Sequence, residues 1–102
     1  MKTEEFRQFL NSEQKNTKKG NQPLTNNAIN ARVSRATRIE KELNVSLDDV
    51  SQCIDNLKDL KRTLKTSYPD NVSSSLYNTA TRYYKFINGE DPEKKYKDFL
   101  KI

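Results

Sequence analysis

Histidine and tryptophan are absent from the sequence, and cysteine occurs once, as Cys53. With no imidazole, a serine or cysteine nucleophile has no base of the triad kind to activate it. A lone cysteine without histidine cannot assemble the ligand sets of structural zinc, and it has no partner for an internal disulfide. Glycine is confined to Gly20 and Gly89, which leaves no glycine-rich phosphate loop. Three prolines beside these two glycines are too few for the tight turns of a β-sandwich or barrel. No apolar run approaches the roughly 20 residues that a membrane span needs, and the opening Met-Lys-Thr-Glu-Glu lacks the apolar segment of a secretory signal. These absences lead us to expect a cytoplasmic, non-enzymatic protein with neither metal nor cofactor.

What the chain does have is charge. Of its 102 residues, 32% are hydrophobic and 32% charged, and the mean hydropathy is −1.05. A single domain of this length with so little apolar material needs a thin core, and an all-α bundle is the most economical way to build one. The formal charge of +5 favours anionic partners. That charge is polarised. Gln14 to Ile39 holds no acid but contains Lys15, Lys18, Lys19, Arg32, Arg35 and Arg38, whereas Glu40 to Asp59 is mostly acidic.

Apolar spacing predicts four main helices and a short fifth. Phe6, Phe9 and Leu10 mark a first helix over about 4–10, with Thr3 as its candidate cap, followed by a polar connection over 11–22. Thr25 is placed to cap the second helix, along which Ile29, Val33, Ala36, Ile39 and Leu43 recur at steps of three and four, and Asn44 is suited to end it. Arg35 and Arg38 project outside that stripe and Arg32 lies at its border. Ser46 and Asp49 resemble a capping box for one long third helix carrying Leu47, Val50, Ile54, Leu57, Leu60 and Leu64, with Cys53 expected buried beside them. Asp48 and Asp49 are accounted for by the start of that helix.

Tyr68-Pro69-Asp70 stops the third helix. A fourth follows over about 72–87, with Val72, Leu76, Ala80, Tyr83, Tyr84 and Ile87 inward. Ser73, Ser74, Ser75, Asn78, Thr81 and Arg82 form its outer face, and Asn88-Gly89 ends it. Asp91-Pro92 opens the C-terminal helix over 91–101, which carries Tyr96, Phe99 and Leu100.

With no catalytic constellation, recognition remains. An arginine flank beside a lysine loop can neutralise phosphates. Short polar residues at two helix starts, Thr25, Asn26, Asn27 and Asn30 and then Ser74, Ser75 and Asn78, can bind phosphate or approach base edges. Caps use the same residue types, so they also have a purely structural reading. A competing expectation is a small phage or mobile-element regulator or inhibitor that binds a protein partner through Tyr96, Phe99 and Leu100.

In order, these features resemble the N-terminal core-binding domain of tyrosine recombinases of the phage-integrase type, a SAM-like helical fold. Phe6-Arg-Gln-Phe-Leu10 is similar to that family's opening helix, Leu24-Thr-Asn-Asn-Ala-Ile-Asn-Ala31 to the start of its second, and Val45-Ser-Leu-Asp-Asp-Val50 to the lead into its third. Asn78-Thr-Ala-Thr-Arg-Tyr-Tyr-Lys-Phe-Ile87 resembles its "SALRxFYxFL" segment. The sequence departs from the pattern at Ala28, Arg32 and Thr81. The resemblance implies a domain of recombination or integration that clamps duplex DNA with its second and fourth helices. Its implied contacts are Thr25, Asn26, Asn27, Asn30, Arg32 and Arg35 on one helix and Ser74, Ser75, Asn78 and Arg82 on the other, with Lys15, Lys18 and Lys19 adding phosphate contacts.

Overall fold

A computed structural model describes residues 1–14 and 26–101. Their only regular secondary structure is helical, without strands: α1 (Thr3–Gln14), α2 (Asn26–Leu43), α3 (Leu47–Val50), α4 (Ile54–Ser67), α5 (Asp70–Asn88) and α6 (Pro92–Lys95). Helix α5 is the axis of the bundle and touches α1, α2, α3, α4 and α6. Its buried Leu76, Tyr77, Ala80, Tyr83 and Tyr84 meet Phe6 and Leu10 of α1, the Ile29-Val33-Ala36-Ile39 stripe of α2, and Leu57, Leu60 and Leu64 of α4 in one core. Phe6 meets Tyr83 edge-on at 5.0 Å between ring centres, and Phe9 meets Phe86 at 5.5 Å, which fastens α1 to α5 through aromatic contacts.

Helix ends account for most of the agreement with the sequence. Asn44 takes a left-handed φ of 53°, and Val45 N–H reaches back to Glu40 O at 3.3 Å. This is the six-to-one bond of a Schellman end, which asparagine tolerates. Gly89 closes α5 with a left-handed φ of 74°, its own N–H reaching Lys85 O at 2.7 Å in the simpler five-to-one form. Asp91 caps α6 by accepting the Glu93 N–H at 3.0 Å, with Pro92 in the first helical position.

Five expectations require correction. Helix α1 already includes Thr3, so Thr3 is not its cap, and the helix runs on to Gln14 because nothing in Asn11-Ser-Glu-Gln breaks helical geometry. The expected long third helix is two helices, α3 and α4, separated by Ser51, Gln52 and Cys53. Ser46 stands at the α3 cap but its side chain makes no capping bond. Instead Glu40, at the end of α2, accepts the Leu47 N–H at 2.9 Å. The C-terminal helix ends at Lys95 and gives way to turns over 97–100.

The break between α3 and α4 also reverses the expectation for Cys53. At φ −151° and ψ 157° it is the extended N-cap residue of α4 and is exposed rather than buried. Ser51 takes the enclosed place, 1% exposed. The carbonyls opened by the break find side-chain donors: Asn56 gives its amide to Asp49 O at 3.0 Å, and Asn88 of α5 gives its own to Ser51 O at 2.8 Å. No helix among the described residues is long and apolar enough to cross a membrane.

Candidate nucleic-acid interface

Arg32 and Arg35 lie three residues apart on α2, so both stand on the flank beside the buried Val33 and Ala36. On α5, Ser75, Asn78, Arg82 and Lys85 recur at steps of three and four, which lines them up on one face, bordered by the buried Thr79. Packing α2 against α5 brings the two rows face to face. Together with Thr79, Thr81, Asp91 and Glu93 they line a cleft of roughly 360 Å³. Four cationic side chains and two carboxylates share this space. The arginines are half-buried, and one terminal nitrogen of Arg32 donates to Ala28 O at 3.3 Å on its own helix. Thr79 is buried and turns its hydroxyl to Ser75 O at 3.2 Å.

Arg32, Arg35, Ser75, Asn78 and Arg82 are thus brought together. Other expected contacts lie elsewhere. Ser74 opens instead toward α4, in a hollow of roughly 350 Å³ with Lys61, Lys65 and Tyr77. Ser73, assigned to the outer face, is 5% exposed and bonds back to Asp70 O. Asn27 and Asn30 are exposed at the start of α2, outside the cleft, and Asn30 accepts a bond from Arg7 of α1. Lys15, Lys18, Lys19 and Thr25 lie outside the described residues, as does the side chain of Asn26. Arg38, on the same helix as the cleft arginines, is committed to Glu42 at 2.9 Å and stacks over the Tyr68 ring at 5.1 Å. The bond from Tyr68, aided by Arg38, holds the Glu42 carboxyl below its usual range.

Sequence reasoning missed Thr79, Lys85, Asp91 and Glu93 as cleft residues. Lys85 continues the period of Asn78 and Arg82 and was within reach of a longer count along α5. The two acids were not, because they reach the cleft only when the left-handed turn at Gly89 folds α6 back along α5.

The strip offered to a protein partner is largely consumed by the bundle. Leu100 is 1% exposed, its carbonyl accepts the Lys61 ammonium at 2.6 Å, and the Lys58 ammonium sits 4.3 Å from the centre of the Phe99 ring. Tyr96 and Phe99 are half-buried. The tyrosines Tyr77, Tyr83 and Tyr84 belong to the core. Comparison with family models, with curated proteins and with solved structures finds no match for the chain.

Proposed function

We propose that the chain is a non-catalytic DNA-binding domain, SAM-like in fold and of the core-binding type that tyrosine recombinases carry, and that it holds duplex DNA through α2 and α5. One observation carries this reading. Residues from two helices far apart in sequence, Arg32 and Arg35 on one and Ser75, Asn78 and Arg82 on the other, line a single cationic cleft. Arginine guanidinium groups suit phosphate oxygens geometrically as well as by charge. Hydroxyl and amide side chains between them match the polar contacts that position a protein on a duplex. The burial of Leu100 and the cover over Phe99 favour DNA over the protein-partner alternative.

Binding of a random duplex measured at several salt concentrations tests this reading. Log affinity should fall linearly with log salt, with a slope of about 0.9 per phosphate contact. The double variant Arg32→Ala/Arg35→Ala should bind more weakly and lower that slope by about two. No binding at low salt would overturn the proposal.

A further inference from the structure

The cleft contains two carboxylates that phosphate binding alone does not require, since each repels an anion. Asp91 has a structural use as the cap of α6, where it accepts the Glu93 N–H at 3.0 Å. Glu93 caps nothing, and the group it stands against is the buried Tyr77 phenol, which leaves the carboxylate further acceptor positions. Its side chain lines the cleft beside the arginines and lies near the Tyr77 phenol, whose pKa is raised by burial first and by this carboxylate second. The Tyr77 hydroxyl is itself buried without a partner at hydrogen-bond geometry. The wall of the cleft therefore offers cations from α2 and α5 and an acceptor-only group from α6. A ligand that satisfies both is anionic at one end and carries an N–H donor at the other.

A nucleotide with an amino-bearing base has that form. Cytosine presents its N4 amine where uracil presents the O4 acceptor, and a carboxylate accepts from the first and repels the second. At roughly 360 Å³ the cleft stands at the small end of the roughly 300–1,000 Å³ that ligand pockets span, which is room for a single nucleotide unit. We propose that the cleft seats one nucleotide of a bound strand, with its phosphate on Arg32, Arg35 and Arg82 and the exocyclic amine of a cytosine or adenine on Glu93. This rests on the reading of the cleft as a nucleic-acid phosphate site and adds a base preference to it.

The test is a chemical-shift titration of the whole chain with cytidine monophosphate, uridine monophosphate and inorganic phosphate, on wild type and on Glu93→Gln. Wild type should bind the cytidine nucleotide about tenfold more tightly than the uridine one, the scale of one good base-edge contact. Glutamine both donates and accepts, so the variant should bind the two nucleotides about equally, through a gain for uridine. Unchanged spectral dispersion checks that the variant is folded. Equal binding of both nucleotides by wild type would overturn the proposal. So would an equal gain for all three ligands in the variant, because the carboxylate would then only repel anions. A duplex titrated alongside separates the two claims. Duplex binding without a nucleotide preference removes the base contact and leaves DNA binding standing, whereas binding of neither duplex nor nucleotide removes both.

Discussion

Tyr83 donates its hydroxyl proton to Asp48 and accepts the Lys2 N–H at 2.9 Å, while the Met1 ammonium lies 3.4 Å from the same Asp48 carboxylate. The sequence accounted for Asp48 by its place at a helix start. The long-range partners, more than thirty positions away on either side, were invisible to any local pattern. Burial acts to raise the pKa of Asp48, but the bonds from Tyr83 and the Met1 ammonium, with Lys2 nearby, hold it below its ordinary 3.8. A carboxyl with a lower pKa in the folded state binds fewer protons there than when unfolded. Its stabilisation is therefore complete above the unfolded value and is lost as pH falls through the folded one. The Asp48 side chain is 36% exposed, and solvent screening limits the effect to about 1 kcal/mol. We expect the stability advantage of wild type over Asp48→Asn, measured by urea unfolding, to shrink by that amount between about pH 5 and about pH 2. Parallel curves across that range would show that Asp48 contributes no charge-dependent stability.

Among the elements, the sequence was most informative where a residue type has a single backbone use. Asn44, Pro69 and Gly89 each end or interrupt a helix where their chemistry requires it. The break between α3 and α4 carries no proline or glycine. The apolar steps Val50, Ile54 and Leu57 run across it as if the helix were continuous. Only tertiary partners reveal it, since the Asn88 amide of α5 rewards an open Ser51 carbonyl that a continuous helix would have used itself. Gly89 matters more than its place at a helix end implies, because its turn brings α6 and its two acids to the cleft. A Cβ added at Gly89 would meet nothing within 4 Å, so the cost of Gly89→Ala is conformational. At φ 74° that cost is about 1 kcal/mol, to be read as lower stability in urea unfolding. An unchanged stability would mean that the turn relaxes without strain.

At the scale of the whole molecule, the arginine wall of the cleft was legible because Arg32 and Arg35 flank an apolar stripe whose direction fixes theirs. The other wall depended on which face of α5 turns toward α2. The sequence grouped Ser74 with Ser75, yet these neighbours open into different hollows, one toward α4 and the other toward α2. The acids of α6 depended on a chain reversal and on Pro92 and Leu100 being buried against the bundle. The resulting arrangement is a cationic face between α2 and α5, separate from the α4 side of α5 where Lys58 and Lys61 are engaged by Phe99, Tyr77 and the Leu100 carbonyl. The most direct test of DNA binding through this face is amide chemical-shift mapping of the chain with a short duplex at low salt. The largest shifts should fall on Arg32, Arg35, Ser75, Asn78, Arg82 and Lys85 and fade as salt is added. Shifts concentrated on α4, or none at all, would contradict it.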